Sequence, residues 1–303
     1  FADQIGYESE PPLYRNHLYV YYRPLVVAEM KYMRAVAEKM GAGMWTYFYE
    51  RRPGDHTWNW LMALSQGSRL WWNADTTAEN QWGPLVAWEA KYQNILAGLD
   101  SMANIGVFFS IKDSTCITYM ETEKRFQYGF LSVCQALSDG HIPHRIILEE
   151  DLNAQTLAKK IKTLWLPNAR ALSPAEAEAI RAFVKSGGNL IATAKTSLYT
   201  ERGEKRKNFA LADLFGCDYA GEYSRKNRLV IKGANEICGQ LAGEMEHNED
   251  FALLENIAPD VKILAFHRNL SGQEFPGILF RKVGAGAVIY AAGHLEDKYL
   301  FSM

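Results

Sequence analysis

Short apolar or aromatic runs alternate with segments of helical period from one end of this 303-residue chain to the other. That alternation constrains the fold more than any other feature. A strand that hands over to a helix and then to another strand packs as a parallel pair with a right-handed crossover. In the first hundred residues, 18–22 read as a strand, and Pro24 suits the first turn of a helix. That helix runs to Met40, with Met30, Met33, Ala37 and Met40 on one face, and Gly41 ends it. An aromatic strand over 44–49 leads directly to Glu50, with Arg51, Arg52, Pro53 and Gly54 behind it. Residues 57–64 read as a helix that Gly67 breaks, and 68–72 as a strand ending in Asn73, Ala74 and Asp75. A long helix follows, with apolar positions at Leu85, Trp88, Tyr92, Ile95 and Leu99. A complete (β/α)8 barrel takes roughly 250 residues, so residues 1–100 are expected to hold only the C-terminal portion of such a barrel.

After a boundary near 98–103 the pattern becomes cleaner. Residues 105–109 are an apolar run of the kind found in buried parallel strands. A helix carrying Phe126, Phe130, Val133 and Leu137 stops at Gly140. Strands are expected at 145–148, 164–166 and 189–194. The capping box Ser173-Pro174-Ala175-Glu176 opens a helix that Gly187-Gly188 closes. Residues 229–232, 263–267, 277–282 and 287–290 read as further strands, the last two joined by a hairpin turn at Gly284-Ala285-Gly286. The order βαβαβαβ describes a doubly wound domain over 101–303, of flavodoxin or class I glutamine-amidotransferase type. The whole chain is therefore expected to be α/β: a partial (β/α) barrel followed by a doubly wound domain.

Composition excludes several partners. Hydrophobic residues make up 48% of the chain and the formal net charge is -2, with acidic and basic residues interspersed. No basic block points to nucleic acid or an anionic membrane, and no apolar run approaches the length of a membrane span. Four cysteines, Cys116, Cys134, Cys217 and Cys238, match no zinc or C-x-x-C spacing. No targeting pattern follows Phe1, and 297–303 stop in what reads as the middle of an element, so both ends are expected to be cut from something longer.

The chemistry divides between the halves. The doubly wound half lacks a G-x-G-x-x-G after its first strand, and Ser110-Ile111-Lys112-Asp113 offers no phosphate cradle. Lys195-Thr196-Ser197 follows its fourth strand with no cysteine and no G-x-S-x-G frame, so Ser197 reads as a loop hydroxyl that caps a helix. The first half holds seven of the eight tryptophans, and it has the inventory of a sugar site. Glycosidic cleavage needs two carboxyl groups, roughly 5 Å apart when the anomeric configuration is retained. Glu50, at the exit of an aromatic strand beside two arginines, is the candidate nucleophile, against the alternative of a surface glutamate paired with Arg51 or Arg52. Trp58, Trp71 and Trp72 are candidate platforms for the apolar faces of sugar rings, against the alternative that they only pack; Trp88, at helical spacing, reads as packing. His56 orients a substrate hydroxyl or sits in a solvated loop. Asn73 lies at the same strand exit, and Asp75 binds sugar hydroxyls or caps the next helix. Glu8 and Glu10 are the candidates for a second carboxylate, or else a charged turn before Pro11 and Pro12.

The order of parts resembles glycoside hydrolase family 42, the β-galactosidase-type enzymes. Residues 45–52 (WTYFYERR) look like that family's seventh strand with its nucleophilic glutamate. Residues 58–75 (WNWLMALSQGSRLWWNAD) resemble the helix and eighth strand. Residues 209–216 (FALADLFG) and 283–290 (VGAGAVIY) resemble a loop-helix signature and the closing hairpin of the family's amidotransferase-like trimerisation domain. The resemblance implies a retaining glycosidase with a carbohydrate substrate, Glu50 as nucleophile, no metal or organic cofactor, and a homo-oligomer, a trimer. The family's acid/base lies on an earlier strand, to which no residue here corresponds.

Overall fold

The computed structural model describes residues 4–9, 19–48, 55–70, 79–97, 99–113, 115, 125–233, 243–247 and 249–294. The chain forms two compact units, Phe1–Met102 and Ala103–Met303.

In the first unit, β1 (Gln4–Ser9), β2 (Gly43–Phe48) and β3 (Arg69–Leu70) form a parallel sheet in the order β1-β2-β3. Between them run α1 (Tyr19–Met40) and α2 (Asp55–Ser65), and α3 (Glu79–Leu96) follows. Met30 and Ala37 of α1 pack with Met44 of β2 and with Trp60, Met62 and Ala63 of α2. Three expectations are corrected. Residues 19–22 belong to α1 rather than to a strand, because β-propensity is a weak term beside the cooperative extension of a long helix. Met40 is exposed, since it sits in the last helical position. The apolar stripe of α3 is partly exposed at Trp88 and Ile95, and Leu99, which the pattern puts on the same helix, lies exposed beyond its end at Leu96. Gly41 does end α1. It adopts φ +65°, its N–H bonds Glu38 O, and the Ala42 N–H bonds Ala37 O at 2.9 Å, which satisfies two terminal carbonyls.

The second unit is built on a nine-stranded sheet in the order β10-β9-β12-β13-β14-β7-β6-β4-β5. The parallel strands are β4 (Ile105–Phe108), β5 (His144–Ile147), β6 (Thr163–Leu166), β7 (Asn189–Thr193) and β14 (Gly286–Ala291). Their near-continuous apolar sequences suit strands buried on both faces. The antiparallel strands are β9 (Asn227–Ile231), β10 (Gly243–His247), β12 (Lys262–Asn269) and β13 (Glu274–Val283). A separate ribbon pairs β8 (Asp218–Tyr223) with β11 (Phe251–Glu255). The helices are α4 (Arg125–Asp139), α5 (Ala154–Lys160), α6 (Pro174–Lys185) and α7 (Ala212–Phe215). The main core joins Leu157 of α5 and Ile180 and Phe183 of α6 to Phe108, Leu164 and Leu190 of the sheet. The capping box at Ser173 forms in full. At the end of α4 the left-handed residue is His141, φ 53°, rather than Gly140. The sequence patterns also miss β8, β10, β11 and α5.

Candidate functional site

The parallel register Glu8↔Tyr47, Ser9↔Phe48 and Thr46↔Leu70 brings the C-terminal ends of β1, β2 and β3 to one edge of the first unit. That is the edge at which parallel α/β folds bind ligands. Glu8 lies on β1 one residue from its end. Glu50 follows Phe48, the last residue of β2, by two positions. Glu10, Glu50, Trp71, Trp72, Asn73 and Asp75 lie outside the described residues. His56 belongs to α2, which starts two residues earlier than its apolar pattern implies, so it is helical and not a loop residue. Trp58 is 45% exposed on the first turn of the same helix.

Behind this edge the strands are tied together by polar contacts. The Thr46 and Ser68 hydroxyls, both buried, lie 2.6 Å apart and set β2 against the start of β3. The Trp60 indole N–H donates to Glu89 of α3, and Trp88 packs edge-on against the Trp60 ring at 5.4 Å. Trp88 is thus a packing residue that remains 43% exposed. Arg34 bonds Glu38 and the Gly67 carbonyl, closing the turn after α2. A cleft of about 800 Å³ lies at the opposite edge, lined by Arg34, Met44, Ser68, Glu89 and Gln93 among others. It sits at the N-terminal ends of the strands, where conservation of a parallel fold serves stability rather than chemistry, and its carboxylates Glu38 and Glu89 are already engaged.

In the second unit, β4 is flanked by β5 on one side and β6 on the other, so the crossover direction reverses between β4 and β6. The crevice outside such a switch point is the usual ligand site of doubly wound sheets. A wholly buried ion pair joins the segments that follow β4 and β6 here. Asp113 Oδ1 accepts from Arg170 Nε at 2.8 Å, and Oδ2 accepts from the backbone N–H of Arg170. Burial pushes the Asp113 carboxyl up to about 6, against the opposing pull of Arg170. Around it, Glu149 Oε1 accepts from Ser110 Oγ and from the Lys112 N–H, while Lys112 Nζ donates to Glu176. Neither this pair nor its network was found from the sequence. The available signal was an arginine inside the apolar stretch Ala169-Arg170-Ala171-Leu172.

At the exits of β6 and β7, Asn168, Ala194 and Ser197 have φ of 48°, 51° and 67°. A strained residue just past a parallel strand is where nucleophile elbows hold their reactive group. Here that position carries the methyl group of Ala194, whose carbonyl accepts from Tyr290 Oη at 2.6 Å. Ser197 is buried, and its Oγ accepts from the Leu211 N–H just ahead of α7, a helix whose start carries no side-chain cap. Cys134 and Cys217 are buried, and burial with the nearby Asp218 pushes the Cys217 thiol up to about 12. Among the described residues no group of three or more His, Cys, Asp or Glu is placed to hold a metal, and no helix is long and apolar enough to cross a membrane.

No family model and no curated protein matches the sequence. Solved structures do match the fold. A catalytic mutant of Gan42B, a GH42 β-galactosidase from G. stearothermophilus, superposes with a TM-score of 0.79 at 14% identity, over 98% of this chain and 48% of that one. The cold-adapted β-galactosidase of a Rahnella species gives 0.78 at 15% identity, over 99% of this chain and 50% of that one. An exo-β-1,4-mannosidase from an Opitutaceae bacterium gives 0.64 at 14%, over 99% and 56%. The chain spans about half the length of these proteins. The resemblance to the GH42 β-galactosidases holds at the level of fold along nearly the whole chain.

Proposed function

We propose that this chain is the C-terminal portion of a retaining, β-galactosidase-like glycoside hydrolase. In this reading residues 1–100 are the last βα units of a (β/α)8 barrel, and residues 101–303 are an amidotransferase-like domain that assembles copies, as a trimer, without chemistry of its own. The observation that carries it is a fold shared over 98% of the chain with a β-galactosidase, in which Glu50 follows the C-terminal end of a parallel strand. A buried ion pair beside the switch point and an alanine at the elbow position support the inactivity of the second unit.

Glu50 attacks the anomeric carbon, forming the glycosyl–enzyme bond as the glycosidic C–O bond breaks. A carboxyl from an earlier strand protonates the leaving oxygen and then deprotonates the incoming water. Arg51 or Arg52 keeps Glu50 ionised by favouring its charged form. Trp58 and Trp72 bind the apolar sugar faces, Asn73, Asp75 and His56 bind hydroxyls, and Glu8 or Glu10 faces the same mouth. Glu50→Gln in the full-length protein should lower turnover of aryl glycosides by at least about a thousandfold, with the circular dichroism spectrum and melting temperature unchanged. Near-wild-type rates would remove Glu50 from the mechanism.

A second reading is a non-catalytic oligomerisation or carbohydrate-binding protein, favoured by the exposed Trp58 and the exposed apolar surface of α3. Full-length protein that binds glycans or self-assembles without hydrolysing any aryl glycoside would establish it.

A further inference from the structure

The antiparallel end of the nine-stranded sheet buries two histidines that none of the chemistry above uses. His247 is the last residue of β10, the edge strand, and His267 lies on β12; each is 1% exposed. Their ring centroids are 4.7 Å apart. Hydrogen bonds assign the ring protons. Asn227 Nδ2 donates to the carbonyls of Arg225 and Glu249, which turns Asn227 Oδ1 toward His267 as an acceptor at 2.9 Å from Nδ1. His267 therefore carries its proton on Nδ1, and in the neutral ring Nε2 is bare. His247 Nε2 lies 3.1 Å from the His294 carbonyl, which only accepts, so His247 carries its proton on Nε2.

The surroundings leave little room for solvent. A Cβ placed on Gly293 would lie 2.8 Å from the His247 ring and 3.1 Å from the His267 ring. Phe251, the first residue of β11, stacks on His267 at 4.1 Å and 10°, and Tyr223 of β8 stacks on Phe251 in turn. Gly277 of β13 closes the edge of the ring. The two imidazoles are thus where the edge strand, an interior strand and the β8–β11 ribbon meet.

Several charged groups on these elements are paired with one another. Glu244 of β10 and Glu274 of β13 pair with Arg228 of β9, Arg268 of β12 and Lys232 at the surface. Glu249 and Asp250, ahead of β11, are half-buried and make interactions of their own. His294 is buried beside the pair.

We infer that the His247–His267 pair is an acid-operated latch. With the His267 ring neutral it holds β10 and the β8–β11 ribbon on the sheet, and proton uptake there detaches that end first while the parallel half stays folded. Burial, and then the neighbouring His247 ring, keeps His267 well below the ordinary histidine range. The detached state therefore takes up the proton first. The latch is at full strength above the ordinary value of 6.5 and weakens as pH falls below it. The attraction of an imidazolium for the Phe251 face opposes this, but it is smaller than the cost of charging a buried ring.

The test uses the wild-type protein. Histidine-selective NMR follows the His267 ring from pH 7.5 to 4.5, and amide exchange, corrected for its intrinsic pH dependence, is followed over the same range. The expected result is a His267 ring that stays neutral in the native spectrum below pH 6. Exchange at 218–223 and 243–255 should then rise about tenfold per pH unit for each proton taken up, while amides of β4, β6 and β7 stay protected. Three results would overturn the latch: native-state titration of His267 near 6.5, corrected exchange that is flat with pH, or all strands opening together. His267→Phe keeps the stack on Phe251 and His267→Gln keeps a donor for Asn227; in both, the acid-dependent slope should fall. If neither variant folds, the wild-type titration still decides.

Discussion

Arg170 is the largest wholly buried side chain among the described residues, and its charge is met by an equally buried Asp113. Removing one member of such a pair costs far more than replacing both. Asp113→Ala should therefore lose about 3–5 kcal/mol in urea unfolding, and the double variant Asp113→Leu/Arg170→Met should recover most of it. Equal losses in the single and double variants would contradict this. Glu222 makes the opposite kind of case. Burial raises its pKa, but hydrogen bonds and charge from Lys195, with Tyr219 and Lys205, outweigh burial and hold the carboxyl down to about 2. A folded-state value depressed from 4.5 contributes stability that is present above 4.5 and lost as pH falls toward 2. Glu222→Gln should flatten the acid limb of the stability curve in that window by about 1–2 kcal/mol, read from urea midpoints. Little of this was legible in the sequence, because Arg170 meets a partner 57 positions away that no local window contains.

Elements were more legible where a local rule sets them. The Ser173 capping box and the Gly41 helix end form as their sequences require, because each depends on bonds within four or five residues. Two glycine substitutions separate conformation from space. Gly41 has φ +65° with nothing within 4 Å of an added Cβ, so Gly41→Ala should cost about 1 kcal/mol, the strain of the left-handed region alone. At Gly286, where β14 crosses the end of α6, an added Cβ would meet the carbonyl oxygens of Gly188 and Val184. Backbone cannot rotate away, so Gly286→Ala should cost several times more, about 3 kcal/mol or above. Thermal melts of the two variants give the comparison, and similar losses would refute it. Strands β8 and β10 were missed because Asp-Tyr-Ala-Gly-Glu-Tyr and Gly-Glu-Met-Glu-His carry no apolar alternation. Charged pairs such as Arg228–Glu244 help tie β10 to β9 instead.

For the molecule as a whole, the exposed apolar residues are concentrated in the first unit. Leu61, Trp88, Ile95 and Leu99 are among them, with Ile95 and Leu99 each 63% exposed. Apolar surface of that kind marks an interaction face. The 303-residue chain should therefore show concentration-dependent sedimentation beyond the assembly driven by residues 101–303, and Ile95→Lys with Leu99→Lys should remove that further step; a wild-type chain that sediments as a monomer at every concentration would contradict this. The sequence by itself determined the strand–helix alternation, the parallel order it implies, the helix caps, and the candidacy of Glu50 at a strand exit. Each of these depends on periodicity or on bonds closed within a few residues. Only the tertiary structure decided that Asp113 meets Arg170, which histidines meet, and which apolar residues of the described helices are exposed. Those outcomes turn on contacts between distant segments, whose free energy depends on the faces that meet after folding and is not contained in any one stretch of chain.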